Sequence, residues 1–138
     1  VGQYHRLVNI DKHEWVDPHG LGLGSKQYEH TGCDASLADA MYVLVMTSPA
    51  EGGGDFPMTE ISGRWVGDRV LIVGDYTKPD AVPGFVGADA IYDLANAQYK
   101  DITPMVRDAL GKIFHLGYDQ EIIGTSSNPH VFWKRVLE

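Results

Sequence analysis

The 138-residue chain has one cysteine, Cys33, so no disulfide can form within this sequence. The cross-linked framework of a small secreted domain is thereby excluded, and a reducing interior is the expected setting. Clustered basic residues are also missing. Only 11 Lys and Arg stand against 19 Asp and Glu, for a formal net charge of −8, and they form no run. That argues against a nucleic-acid partner, whose phosphates are held mainly by clustered Lys and Arg. The apolar stretch at residues 40–46 is far too short to span a bilayer, and the polar start Val1-Gly2-Gln3-Tyr4-His5-Arg6 does not resemble a signal peptide. A cytoplasmic protein without a membrane partner is expected. There is no internal repeat, linker or low-complexity tract.

Motif chemistry is equally sparse. The six histidines include no His-x-x-x-His pair, which would set two imidazoles on one helix face. No metal site and no cofactor are expected. Gly20-x-Gly22-x-Gly24 has the wrong spacing for a dinucleotide loop, and Gly24-Ser25-Lys26 reverses the Walker order.

Hydrophobic residues make up 43%, enough for one core at this length. The pattern predicts a single α+β domain over 1–138, with a mainly antiparallel sheet built from hairpins at about 3–17 and 60–76. About three helices, near 35–48, 88–98 and 103–116, are expected to pack on it.

In the first hairpin Tyr4, Arg6, Val8 and Ile10 alternate with His5, Leu7 and Asn9, and Asp11-Lys12 forms the turn. Ser25 to His30 is read as a short helical turn. The first helix is capped by Asp34 or Ser36, with Ser36-x-x-Asp39 as a capping box. Its inner face comprises Leu37, Ala40, Met41, Leu44 and Val45, widened by Val43 and Met46, and Pro49 ends it. In the second hairpin Gly67-Asp68 closes the turn, and the continuous apolar run Val70 to Val73 reads as a strand covered on both faces, central in the sheet. Val82 and Phe85 look exposed in a long loop, and Ile91, Leu94 and Ala95 point inward from the second helix. Residues 99–102 are read as a short edge segment. The third helix takes Thr103 as N-cap, Pro104 at its first helical position, Val106, Leu110, Ile113 and Phe114 as its buried stripe, and Gly117 as its stop. Residues 118–124, with Ile122 and Ile123, read as a strand. A polar turn over 125–129 comes next, and then a strand or short helix to the end.

Candidate chemistry concentrates where charge meets loops. Asp17-Pro18-His19 sets a carboxylate beside an imidazole, useful to a general base. The Gly52-Gly53-Gly54-Asp55 loop could form an anion-binding nest or present Asp55. Arg64, Trp65, Asp68, Asp75 and Tyr76 cluster around the 60–76 stretch, and Arg and Trp are favoured interface anchors. An ion-pair ladder explains the same charges without any ligand. Cys33, near the start of the first helix, is read as a buried structural residue rather than a nucleophile.

The segments Gly2-Gln3-Tyr4, Val8-Asn9-Ile10-Asp11, Asp17-Pro18-His19, Gly52-Gly53-Gly54-Asp55, Gly63-Arg64-Trp65-Val66-Gly67-Asp68-Arg69 and Val73-Gly74-Asp75-Tyr76 together resemble a group of small actinobacterial and actinophage proteins with no established activity. The likeness covers about the first 76 residues and implies a bacterial or phage accessory protein. The functional expectation is a soluble, non-catalytic binding protein that engages a host protein or a small anionic metabolite, with a dimer as one possible state. The alternative is a small hydrolase acting on a phosphorylated or nucleotide-like substrate. That alternative requires Asp17, His19, Asp55 and Asp75 to converge.

Overall fold

The computed structural model describes the chain apart from residues 1, 2, 25, 49, 50, 86, 126, 127 and 138, and apart from the side chains of 95–97, 121–125, 128–132 and 137. Gly2, Ser25, Pro49, the middle of the 125–129 turn, and the side chains of Ala95, Ile122 and Ile123 therefore lie outside the described residues.

Strands β1 (His5–Asn9) and β2 (Glu14–Val16) form the expected N-terminal hairpin. Its connection is held by Asn9, whose Oδ1 accepts from the backbone N–H groups of Asp11 and Lys12. β1 also pairs antiparallel with β3 (Val70–Gly74), and β2 pairs parallel with β4 (Lys100–Asp101). The four-stranded order is β3-β1-β2-β4.

Alternation along β1 distributes its side chains between two cores. Leu7, with Val16, packs beneath helices α1 (Leu37–Val45) and α3 (Thr103–Phe114), against Leu44, Val106 and Leu110. Val8 and Ile10, with Trp15 and Val73, pack on the other face against Ala88 and Ile91, where a 3-10 turn leads into α2 (Ile91–Ala97). The sheet is thus a middle layer, and its two interior strands, β1 and β2, are covered on both faces.

The caps explain where the helices begin. Ser36 Oγ accepts from the Asp39 N–H while the Asp39 carboxylate accepts from the Ser36 N–H, closing the capping box expected for α1. Leu37, Ala40, Val43 and Leu44 are buried. Met41 and Val45, expected inside, lie at the solvent edge instead. α3 differs from expectation at both ends. Thr103 is its first helical residue rather than its N-cap: its N–H donates to Asp101 Oδ1, and its hydroxyl accepts from the Asp17 N–H. The helix stops at His115, in the left-handed region at φ 56°, two residues before Gly117. Val82 and Phe85, expected exposed, pack partly buried on the second core.

The largest correction concerns the second hairpin. Residues 60–67 are not a strand but a succession of tight turns, in which Ser62, Arg64, Val66 and Asp68 each donate to the carbonyl three residues back. Gly63 and Gly67, at φ 77° and 83°, break any extended run. The N–H groups of Gly63 and Trp65 donate to the carbonyls of Val43 and Leu44, satisfying the open end of α1. Ile61 and Trp65, four apart, enter the first core together. The next element, β3, is an edge strand rather than a central one, and Ile72 is 48% exposed on it.

The remaining chain forms a separate two-stranded antiparallel sheet, β5 (Leu116–Thr125) and β6 (Asn128–Leu137). Arg135 ties it to the body by donating to the carbonyls of Leu21, Asp34 and Ala35. The α+β class and the mainly antiparallel pairing stand as expected.

Candidate anion-binding site

The outer face of α3 is set by the same periodicity as its inner one. With Val106, Ala109 and Leu110 turned into the core, Arg107, Asp108, Gly111, Lys112 and His115 fall on the opposite side. The β5–β6 hairpin folds back against this face and forms with it an open cavity of about 520 Å³, adding Leu116, Tyr118 and Trp133. Close approach is possible because position 111 is glycine: a Cβ there would lie 2.9 Å from the Leu116 carbonyl oxygen.

Two cations, Arg107 and Lys112, and the imidazole of His115 line this cavity against one carboxylate, Asp108. That balance is the reverse of the acidic chain as a whole. Arg107 is held in place: its guanidinium carbon sits 3.3 Å from the centre of the Trp133 ring, and its Nε donates to the Gly20 carbonyl at 2.8 Å. It belongs to none of the ion pairs found among the described residues. Burial pulls its pKa below the ordinary arginine value, against the opposing charges of Asp108 and Asp101, yet the group stays cationic at neutral pH.

The hydroxyl of Tyr118 is buried without a hydrogen-bond partner. Burial raises the phenol's pKa, and the nearby charges of Arg135 and Arg107 lower it only in part. At neutral pH it is therefore an unused O–H donor. Leaving such a group unpaired costs about 1–3 kcal/mol, which an oxygen-bearing ligand would offset. Lys112 also complements the negative end of the α3 dipole, so an anion here must be held by side chains rather than by the helix.

The residues singled out from the sequence lie elsewhere. Asp17 and His19 line a second cavity, of about 250 Å³, with Tyr4, His5, Arg6 and Tyr92. Asp55 lines a third, beside α1, and its carboxylate accepts from the Gly52 N–H. Arg64 and Trp65 converge on Glu14: Arg64 donates through Nε and Nη2, at 3.0 and 2.6 Å, and the Trp65 indole at 2.8 Å. Trp65 is fully buried, so it is a core residue rather than a surface anchor. Asp68 accepts from Asn9 and Lys12, and Asp11 pairs with Arg69. Asp75 accepts from the Tyr4 N–H, and Tyr76 is 57% exposed. The 60–76 stretch and the triglycine loop therefore do not build one site. Cys33, expected buried, is exposed.

Among the described residues no three His, Cys, Asp or Glu side chains group so as to hold a metal ion, and no helix is long and apolar enough to cross a membrane. No family model, curated protein or solved structure matches the chain.

The α3 cavity has a signal in the sequence. Once helix 103–116 is drawn with Val106 and Leu110 inward, Arg107, Lys112 and His115 share the other side. Basic residues spaced along a helix face do not form a run, and a search for runs passes over them.

Proposed function

We propose that this chain is a non-catalytic binding protein, an accessory protein of the bacterial or phage kind that its motif pattern resembles, and that its α3 cavity takes a small anionic metabolite. The observation that carries the reading is the pairing of Arg107, clamped and outside any ion pair, with Tyr118, a lining residue of the same basic cavity whose buried hydroxyl has no partner. Phosphate or carboxylate oxygens are the acceptors such donors suit. Binding is favoured over hydrolysis because the four candidate acid–base residues do not share one pocket: Asp17 and His19 line the second cavity with Asp75 bonded at its edge to Tyr4, whereas Asp55 lies apart beside α1.

The test is calorimetric titration with inorganic phosphate, citrate and adenosine monophosphate, at low and at raised salt. At least one ligand should bind saturably, and more weakly as salt rises. Tyr118→Phe should weaken that binding about tenfold, the value of one charge-assisted hydrogen bond. The same change should leave the free protein as stable or more so, since it removes an unpaired hydroxyl. Lys112→Met, at an exposed position, should weaken binding without affecting folding. Absence of saturable binding, or Tyr118→Phe binding like the parent, would overturn the reading. Release of free phosphate from the nucleotide during titration would favour the hydrolase instead.

A further inference from the structure

The second cavity differs in its charge. It lies over one end of β1 and is lined by Tyr4, His5, Arg6, Asp17, His19 and Tyr92. Arg6 is fixed between two rings, its guanidinium carbon 4.8 Å from the Trp15 ring centre and 4.4 Å from that of Tyr92. It also donates a long bond, 3.5 Å, to the Tyr92 carbonyl. Contact with the two rings holds the cation in place and leaves N–H groups for an acceptor. Asp17 is fixed equally well. Its N–H donates to Thr103, and its Oδ1 accepts from the His19 N–H at 3.0 Å, which leaves the second carboxylate oxygen for a donor.

Neither Arg6 nor Asp17 belongs to an ion pair among the described residues, although both line the same small space. The surroundings carry both signs, with Asp93 as well as Asp17 and Asp75 acting on Tyr92. Lys26 sits 3.9 Å from the Tyr4 ring centre, and Asp75 accepts from the Tyr4 N–H. A dianion would meet Asp17 and Asp75, whereas a plain amine would meet Arg6 and Lys26.

We propose that this cavity binds a small zwitterion of the free α-amino acid class. Arg6 takes its carboxylate, Asp17 takes its ammonium, and Tyr92 covers the carbon frame. The size agrees: an apolar cavity of about 150 Å³ admits benzene, so about 250 Å³ accommodates a compact amino acid. This site is independent of the α3 cavity.

The experiment is an amide NMR titration with glycine, L-alanine, L-proline and L-phenylalanine, with propionate and propylamine as single-charge controls. At least one amino acid should give saturable shifts at His19 and Tyr92 that neither control reproduces. Arg6→Gln and Asp17→Asn should each weaken binding about tenfold or more, the loss of one charge-assisted bond. The asparagine side chain keeps an oxygen for the His19 N–H, so an unchanged melting temperature of Asp17→Asn shows that the turn survives. Lys112→Met, in the α3 cavity, should leave the response intact. Propionate matching the amino acids would reduce the site to a carboxylate subsite and overturn the proposal, as would the absence of saturable shifts with every amino acid.

Discussion

Replacing Glu14 tests the charge knot beneath the sheet. The residue is 5% exposed, and its carboxylate accepts three hydrogen bonds, two from Arg64 and one from the fully buried Trp65 indole. Glu14→Ala strands that indole N–H, at about 1–3 kcal/mol. The Arg64 side chain is 30% exposed and can turn to water, so its loss adds only about 1 kcal/mol rather than the full cost of an orphaned buried charge. The sum, about 2–4 kcal/mol, is a large share of the ~5–15 kcal/mol typical of a folded domain. Glu14→Gln keeps an oxygen for the indole and gives up only the charge, so about 1–2 kcal/mol is expected.

Urea unfolding followed by tryptophan fluorescence measures both values. The pH profile provides a second check. Burial alone would raise the Glu14 pKa, but hydrogen bonds from Arg64 and Trp65, with the charges of Arg64 and Lys100, outweigh it, and the net shift is downward. A carboxylate whose folded pKa is depressed contributes its full stability above the ordinary glutamate range and loses it as pH falls through the folded value. Wild type should therefore weaken through that acidic window more steeply than Glu14→Gln. A Glu14→Ala cost below about 1 kcal/mol, or a glutamine variant as unstable as alanine, would refute the assignment of the indole bond as the main contribution.

Neighbouring positions on β3 should respond in opposite ways. Ile72→Lys, at the open edge, is expected to change stability by less than about 0.5 kcal/mol, whereas Val73→Ala, 2% exposed in the second core, should cost about 2 kcal/mol; thermal melts compare them. Arg135→Ala removes the donor to three backbone carbonyls at Leu21, Asp34 and Ala35. Hydrogen exchange should then quicken in β5 and β6 while β1 and β3 stay protected, and uniform quickening would contradict the view of Arg135 as a local tie.

Local signals are readable from the sequence. The β1–β2 hairpin follows from alternation, and α1 from Ser36 and Asp39, because each is decided within a few residues. The 60–76 stretch misleads because its outcome depends on distant groups. Gly63 and Trp65 look like parts of a strand until the open carbonyls of α1 are placed above them. The glycines at 63 and 67, free to take positive φ, are the available hint. The Val70 to Val73 run has the composition of a central strand, but pairing order is a property of the whole sheet, and β1 and β2 hold the centre. The α3 cavity is half legible: its basic side is written along one helix, whereas Tyr118 and Trp133 arrive only when the hairpin folds back.

The double cover of β1 also affects how the chain reaches its fold. Its pairing with β2 is local and can form within about 1–10 μs. Its other edge waits for β3, and Asn9 finds Asp68 only across 59 residues. At about 5–20 residues per second, translation leaves that edge unpaired for roughly 3–12 s. Leu7 and Val8, fully buried in the finished protein, are exposed during that interval. The strand at the centre of the native sheet is thus an open edge on the nascent chain, and crowding at that stage would favour pairing with a neighbouring copy over completion of its own sheet.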